Sequence, residues 1–191
     1  CELIEELLYE NESLKGTVNR TRQNLGFLIE IPDQRLLPWV MESQAQLWQD
    51  LFVLHELDLK RDGYFVEFGA TNGVSLSNTH LLEKRFGWKG ILAEPARCWH
   101  AALEKNRSAA IEKKCVLSKS GEVLTFNEAE VAELSTIEVF SASDSHASNR
   151  AQGTNYLVET ITLNDLLKLH RAPAMMDYLS IDTEGSEFEI L

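Results

Sequence analysis

The chain has 191 residues, of which 44% are apolar and 25% charged, and its formal net charge is -12. This length and composition predict one globular domain that is large enough to bury a core without disulfides or structural metals. The acidic balance argues against a general nucleic-acid binder and against docking on anionic membranes, since both need basic surfaces. We therefore expect a neutral or cationic substrate, or a local basic pocket hidden in the average.

The three cysteines, Cys1, Cys98 and Cys115, show neither a zinc-binding spacing nor a disulfide framework, so no metal site is predicted. An odd, sparse count is typical of a reducing compartment, which predicts a cytoplasmic protein. No run of residues approaches the about 20 apolar side chains that span a bilayer. Because the chain starts at Cys rather than Met and has no signal pattern, we expect its natural N-terminus to be missing.

Residues 1–31 differ in pattern from the domain predicted over residues 32–191. Apolar side chains recur there at heptad spacing, and six of the eight core positions are aliphatic: Ile4, Asn11, Val18 and Leu25 at a, and Leu7, Leu14, Thr21 and Leu28 at d. Two interpretations stay open. One is a short coiled coil that makes a homo-oligomer, and the other is an amphipathic helix packed on its own domain, since Gly16 and Thr21 weaken the pattern.

Two prolines, Pro32 and Pro38, mark a linker, after which helices and strands alternate. Short buried runs that end at glycine or acidic residues predict the strands, and amphipathic stretches predict the helices between them. The predicted elements are a helix over residues 42–59, a strand over 64–68, a helix over 76–86, a strand over 90–93, a helix over 96–106, and strands over 111–117 and 123–126.

Residues 141–155 contain no large apolar side chain, so we expect a mobile loop or lid there. An alternating edge strand over residues 156–163, a helix that Asn164 caps and a buried strand over residues 176–181 follow. This strand–helix alternation predicts an α/β fold with a doubly wound, mostly parallel sheet. Only about four parallel strands are found, fewer than such sheets usually have, so we expect more protein after Leu191.

The turn after the first predicted strand carries Glu67, Gly69 and Gly73 in the spacing ExGxxxG. Glycines let the backbone approach a ligand closely, and Glu94 at the end of the second strand is placed to accept hydrogen bonds from ribose hydroxyls. A dinucleotide fingerprint would be GxGxxG, but Thr71 stands where its middle glycine would fall, which disfavours a nicotinamide enzyme. Glu67 suits a cationic ammonium better than a pyrophosphate. By itself, the loop is also compatible with an ordinary strand-to-helix turn.

Several separated motifs resemble the FkbM family of S-adenosylmethionine-dependent methyltransferases over residues 43–191. They are SQAQLWQD over residues 43–50, FVEFGATNG over 65–73 with LSNT over 76–79, GWKGILAEP over 87–95, and YLSIDTEGSE over 178–187. The resemblance implies a Rossmann-like fold of the class I methyltransferase type. It also implies O-methylation of a sugar or another small-molecule hydroxyl. The family's loop more often begins with Asp, so Glu67 is a departure that shifts any methionine contact by one methylene.

The resemblance also implies a role for individual residues. The methionine end of the cofactor would be lined by Gly69, Ala70 and Gly73, with Glu67 nearby. Other residues of the same loop that would bind the cofactor are Phe68, Thr71, Asn72, Ser77 and Asn78. The ribose would be bound by Glu94 beside Pro95, and the adenine would lie near Cys115, Val116 and Leu117. Asp182 would face the sulfonium and the substrate, while Gln46 and Asp50 would reach the cofactor from the preceding helix.

Methyl transfer from a sulfonium is a direct displacement that needs alignment and a base for the hydroxyl proton. Asp182 and Glu184 follow the last strand, and His146 lies in the predicted lid, so these three are the candidate catalytic residues. Glu184 is equally well explained as a helix-start carboxylate, and His146 as an ordinary loop residue. A different class of function also stays open, an interaction protein that oligomerises through residues 2–31 and uses the domain as a scaffold.

Overall fold

The computed structural model describes residues 33–128, 136–137, 153–183 and 186–190 of the chain. In those ranges the strands are β1 Tyr64–Phe68, β2 Lys89–Ala93, β3 Ala110–Glu112, β4 Cys115–Val116, β5 Val123–Glu128, β6 Thr136–Ile137, β7 Thr154–Ile161 and β8 Tyr178–Ile181. The α-helices are α1 Gln49–Glu56, α2 His80–Phe86, α3 His100–Asn106, α4 Leu163–Leu169 and α5 Glu187–Ile190. Short 3-10 helices cover Gln34–Trp39 and Arg97–Trp99.

The main sheet has the strand order β3-β2-β1-β8, and all of its neighbouring strands are parallel. Successive residues of β1 point to opposite faces, so Phe65 packs against α1, α2 and α3 while Val66 packs against α4 and α5. Both side chains are fully buried. Helices thus cover both faces of a parallel sheet, and the α/β fold predicted from strand–helix alternation is confirmed.

A second sheet has the order β4-β7-β5-β6 and was not predicted as a separate unit. The strand predicted over residues 111–117 is wrong as one element, because its two halves belong to different sheets. The Glu112 carboxylate accepts hydrogen bonds from the backbone amides of Lys113 and Lys114, both at 3.0 Å, and this turns the chain between them. A small core lies under this sheet and includes Phe126 and Val158.

The prediction of an edge strand over residues 156–163 is also wrong. Strand β7 starts at Thr154 and lies inside the second sheet, parallel to β4 on one side and antiparallel to β5 on the other. Its alternation arises because one face of the sheet is exposed, and not because the strand is at an edge. Thr154 and Asn155, at the end of the predicted lid, therefore belong to this strand.

Several helix boundaries differ from the predictions for local backbone reasons. The first helix starts at Gln49 rather than at residue 42, because the preceding Trp48 is in the left-handed conformation (φ 58°). The second helix starts at His80 rather than at residue 76, because Leu76 is also left-handed (φ 61°). Thr162, not Asn164, caps α4, since its side-chain oxygen accepts from the Asp165 amide.

The remaining boundary differences are smaller. The helix predicted over residues 96–106 opens with a 3-10 turn before α3 begins at His100. Pro38 lies in a 3-10 helix whose Leu36 is buried, so this part of the predicted linker packs on the domain. Strand β2 starts one residue earlier than predicted, β5 ends two residues later, and β8 starts at Tyr178.

Some predictions concern residues outside the described ranges. They are the heptad segment over residues 1–31, residues 141–152 of the predicted lid, His146 and Glu184. They stay predictions. In the part of the chain that the structure describes, no helix is both long enough and apolar enough to cross a membrane.

Candidate functional site

The carboxyl ends of β1, β2 and β8 meet at one edge of the main sheet. Gly69 follows β1, Glu94 follows β2 and Asp182 follows β8. The Gly69 amide donates to the carbonyl of Ala93 at 3.0 Å, and the Asp182 amide donates to the carbonyl of Phe68 at 3.2 Å. Three residues that the sequence placed in one site are therefore brought together at this edge, where open α/β sheets bind ligands.

Gly69 is required here by both conformation and space. Its φ is +78°, and a Cβ built on it would lie 1.9 Å from the carbonyl oxygen of Asp182. Thr71 and Leu76 farther along the same loop are also left-handed, although neither is glycine. Backbone strain of this kind concentrates at ligand sites, where the surrounding structure holds it in place.

The Glu67 carboxylate lies under this loop and is 2% exposed. Its Oε1 accepts from the Asn78 amide at 2.7 Å, and its Oε2 accepts from the hydroxyls of Ser77 at 3.1 Å and Thr79 at 2.5 Å. Burial raises the pKa of Glu67, and the Arg107 guanidinium opposes that rise. Glu67 thus holds the far end of the loop in place through three hydrogen bonds.

Glu94 is similarly buried, at 4% exposed, but has a different set of partners. Its Oε2 accepts from the Thr71 amide at 2.7 Å and its Oε1 from the Ala96 amide at 2.8 Å. Burial raises the pKa of Glu94 to about 7, and the nearby carboxylates of Glu128 and Glu67 add to the effect. Each carboxylate oxygen can accept a further hydrogen bond, so Glu94 keeps capacity for a ligand's hydroxyl groups.

Asp50 contributes a third buried carboxylate, from the first turn of α1. Its Oδ1 accepts from the Ser43 hydroxyl at 2.7 Å and from the Leu51 amide at 2.8 Å, whereas its Oδ2 has no hydrogen-bond partner among the described residues. Burial raises the pKa of Asp50 to about 6, and the Glu67 carboxylate adds to the rise. A buried oxygen without a donor is costly, which makes it a candidate ligand contact.

The segment that carries Asp50 is tied to the glycine loop by a parallel bridge between Ala45 and Leu76. Gln46 is exposed next to this bridge. Asn78, on the loop side, donates from Nδ2 to the Ser180 hydroxyl of β8 at 2.9 Å, and its buried Oδ1 has no partner among the described residues. A second acceptor with spare capacity is thus present in the same wall of the site.

The side of the site next to Glu94 is apolar. Cys115, Val116 and Leu117 are buried, and Cys115 and Leu117 pack with Ala96, which follows Glu94 and Pro95. Burial raises the pKa of Cys115 to about 12, and the Glu94 carboxylate contributes to this rise. The residues expected near an adenine therefore lie beside the residue expected to bind a ribose.

Asp182 is solvent-accessible at the end of β8. Its pKa is raised because the surrounding protein removes part of its hydration, and the Glu187 carboxylate adds to the rise. Glu187 itself accepts from the Thr183 amide at 2.9 Å and so holds the turn after Asp182. Among the described residues, no three His, Cys, Asp or Glu side chains are grouped closely enough to hold a metal ion.

Sequence reasoning missed Ser43, Ser180 and Arg107. Ser180 lies beside Glu67 in the register between β1 and β8, which no local pattern reveals. The hydrogen bond between Ser43 and Asp50 requires a turn before α1 that the predicted longer helix excluded. Arg107 follows a helix and has the sequence surroundings of a surface cation, so its burial depends on tertiary packing alone.

The chain was compared with protein families, curated proteins and solved structures. The model of the Methyltransferase FkbM domain matches residues 67–191, which include Glu67, Glu94 and Asp182. No curated protein and no solved structure matches the chain.

Proposed function

The chain belongs to the FkbM methyltransferase domain family, and from this premise we propose that it binds S-adenosylmethionine and methylates a hydroxyl of a sugar or another small molecule. The observation that carries the proposal is the buried Oδ2 of Asp50, which has no hydrogen-bond partner in the part of the chain that the structure describes, beside a strained glycine loop. A ligand that is cationic at one end and has hydroxyls farther along fits this arrangement of carboxylates. S-adenosylmethionine has both features.

The methionine end of the cofactor would lie against the glycine loop. Asp50 Oδ2 and Asn78 Oδ1 are buried acceptors, and an ammonium offers three donors. Gly69, Ala70 and Gly73 would allow close approach of the backbone, with Gln46 at the exposed side. Glu67 would support this end from beneath, because its carboxylate already accepts three hydrogen bonds.

The ribose and the adenine would lie along the ends of β2 and β4. Glu94 would accept hydrogen bonds from ribose hydroxyls with the capacity that its two amide contacts leave. The apolar side chain of Leu117 would pack against the adenine with Cys115 and Ala96, which belong to the same apolar cluster. Val116, which packs with Ala93 in the neighbouring cluster, and Pro95 would lie close by. This apolar surface fits the flat adenine ring.

The bound cofactor would supply an electrophilic methyl group on its sulfonium. Asp182 would then accept the proton of the acceptor hydroxyl, and its raised pKa makes it a better base than an ordinary Asp. Its exposed position at the strand end leaves room for an acceptor. Glu184 and His146 stay predicted partners in this step.

An uncharged acceptor such as a sugar suits a chain with a net charge of -12. A cytoplasmic location is part of the proposal and rests on the sparse cysteines.

Titration calorimetry with S-adenosylhomocysteine tests the cofactor, with NADH as the competing ligand. We expect S-adenosylhomocysteine to bind and NADH to give no heat. Asp50→Asn should weaken binding by about 1–3 kcal/mol, because the contact with a charged donor is lost. Asp177→Asn is the matched control, since Asp177 pairs with Lys60 and the Tyr64 amide at the opposite end of the sheet. Binding of NADH alone would overturn the proposal.

The acceptor class needs a second experiment. Methyl transfer from labelled S-adenosylmethionine can be followed on a panel of sugars and small alcohols, with the full gene product as enzyme. Asp182→Asn should lower the rate on any acceptor that is methylated, by about 10²–10⁴-fold, because a general base is lost. Cofactor binding without transfer to any hydroxyl would exclude the proposed reaction and favour an interaction protein.

A further inference from the structure

Arg107 is a buried cation that directly follows α3. Its side chain has no exposed surface and lies between two carboxylates, 3.8 Å from Glu67 Oε2 and 2.8 Å from Glu83 Oε2. Its guanidinium also lies 5.5 Å from the ring centre of Phe65 in β1. A charge so deep in the protein requires nearly complete pairing, and the partners that supply it identify what Arg107 holds in place.

Most of these partners belong to the glycine loop, which is the segment over residues 69–79 between β1 and α2. Arg107 Nη1 donates to the Gly73 carbonyl and to the Ser77 hydroxyl, both at 3.0 Å, and its Nη2 donates to the Thr79 hydroxyl at 2.8 Å. The preceding residue, Asn106, donates from Nδ2 to the Asn72 carbonyl at 2.9 Å. The end of α3 therefore holds the loop at four points between residues 72 and 79.

The two hydroxyls connect Arg107 to Glu67. Ser77 and Thr79 each accept a hydrogen bond from the guanidinium and each donate one to Glu67 Oε2. The cation on one side and the carboxylate on the other thus orient the two hydroxyl protons. Such a connected network strengthens its own members in a low-dielectric interior.

Packing adds a steric restriction at the same place. Gly73 has a φ of +78°, and a Cβ built on it would lie 2.5 Å from Arg107 Cγ and 2.7 Å from Leu103 Cδ1. The loop backbone thus rests directly on the stem of Arg107. Any change in the position of this side chain is transmitted to the glycine that ends the ExGxxxG motif.

We propose that Arg107 is a positioning residue of the cofactor site, which acts through Glu67, Ser77 and Thr79 to hold the glycine loop in its binding conformation before the ligand arrives. The inference rests on the proposed function, because it assigns the loop to the cofactor. Holding a loop in its bound conformation raises affinity by reducing the ordering that binding otherwise requires. The Glu83 carboxylate, on the other side of Arg107, accepts from the Ser108 amide and hydroxyl, and it makes no hydrogen bond to a loop side chain among the described residues.

A double-mutant cycle in the full chain tests this assignment by calorimetry with S-adenosylhomocysteine. Arg107→Met should weaken binding by about 10-fold or more, and Arg107→Lys by less, because the charge remains. The double variant Glu67→Gln/Arg107→Met should bind at least about threefold more tightly than Arg107→Met alone, since a neutral side chain at position 67 no longer needs the cation. The double variant Glu83→Gln/Arg107→Met should bind no more tightly than Arg107→Met alone, although it also removes a carboxylate that has lost Arg107 as its partner.

Amide hydrogen exchange without any ligand separates this inference from the proposed function. The Asn78 amide donates a hydrogen bond to Glu67. It should exchange faster in Arg107→Lys than in the wild type, at matched global stability. If the wild type does not bind S-adenosylhomocysteine, the proposed function fails, while the exchange result still tests the positioning role. Unchanged Asn78 exchange, or equal rescue by Glu67→Gln and Glu83→Gln, would overturn the role of Arg107.

Discussion

Two glutamates at the carboxyl ends of neighbouring strands occupy opposite electrostatic surroundings. Glu67, in β1, accepts three hydrogen bonds and lies 3.8 Å from the buried cation Arg107. Glu94, just after β2, accepts from two backbone amides, and no Lys or Arg pairs with it in the described ranges. Both carboxylates are almost completely buried. The hydrogen bonds and the ion pair of Glu67 are thus part of the folded structure, while the Glu94 carboxylate can still accept hydrogen bonds from a ligand.

This difference separates support from recognition within one site. A paired carboxylate stabilises the loop that it holds, whereas an unpaired one destabilises the fold and is retained where a ligand uses it. The pKa of Glu94 near 7 expresses that cost directly. We therefore expect substitutions around Glu67 to affect stability and, indirectly, affinity through the loop, and substitutions of Glu94 to affect affinity by removing a direct ligand contact.

The largest expected effect is at Gly69, which joins the two regions. Gly69→Ala should lower the free energy of unfolding by more than about 3 kcal/mol, because it combines a left-handed backbone with a collision against the Asp182 carbonyl. Gly121→Ala is the matched control, since its φ is also +78° but nothing lies within 4 Å of its Cβ. It should cost only about 1–2 kcal/mol. Urea denaturation measures both, and equal losses would contradict the steric account.

The second prediction concerns the pH dependence of stability. The pKa of Glu94 is higher in the folded protein, about 7, than its ordinary 4.5, so the folded state binds more protons between these values. Stability should therefore fall as pH rises through this window, by about 3 kcal/mol in total. Glu94→Gln should remove this fall, while the contribution of Asp50 remains in both proteins and cancels in the difference. Parallel curves for the two proteins would show that Glu94 is not perturbed.

Three of the four strands of the main sheet were predictable because each of them leaves a local signal. Strands β1, β2 and β8 are short apolar runs that end at Gly69, Glu94 and Asp182, and a parallel strand buried on both faces produces that pattern. The candidate site followed from the same signals, because the carboxyl ends of such strands meet at one edge. Local sequence was sufficient for this half of the molecule.

The second sheet was not predictable for the opposite reason. Its strands carry no buried apolar run, since exposed Val123 lies opposite Glu159 in the pairing of β5 with β7 and β4 is only two residues long. The turn at Glu112 depends on a carboxylate that accepts from two following amides, and no turn residue marks it. Arg107 was missed likewise, since its burial is decided by elements that pack from elsewhere in the chain.

A third prediction tests the recognition role of Glu94. Glu94→Ala should weaken binding of S-adenosylhomocysteine by about 1–3 kcal/mol, because the ribose hydroxyls lose their acceptor. Glu159→Ala, which removes an exposed carboxylate paired with Lys114, should leave affinity unchanged. Calorimetry at pH 8 compares them with the Glu94 carboxyl largely ionised. If Glu67→Gln weakened binding more than Glu94→Ala did, the division between support and recognition would be wrong.

The smallest expected effect is at Tyr156, where the second sheet contacts the loop after Glu94. Its hydroxyl accepts from the Arg97 amide at 2.9 Å and donates to Glu128 Oε2 at 2.6 Å, while the Arg97 guanidinium lies 4.1 Å from its ring centre. Tyr156→Phe keeps the ring and the cation–π contact but loses both hydrogen bonds. We expect a loss of about 1 kcal/mol in unfolding free energy.

Ligand affinity should change little in Tyr156→Phe, because Glu94 keeps its own contacts to the amides of Thr71 and Ala96. Urea denaturation and calorimetry on the same preparation give both quantities. A loss of affinity as large as that in Glu94→Ala would mean that the second sheet sets the position of Glu94. The recognition region would then depend on tertiary support in the same way as the region around Glu67, and the contrast between the two carboxylates would be one of charge alone.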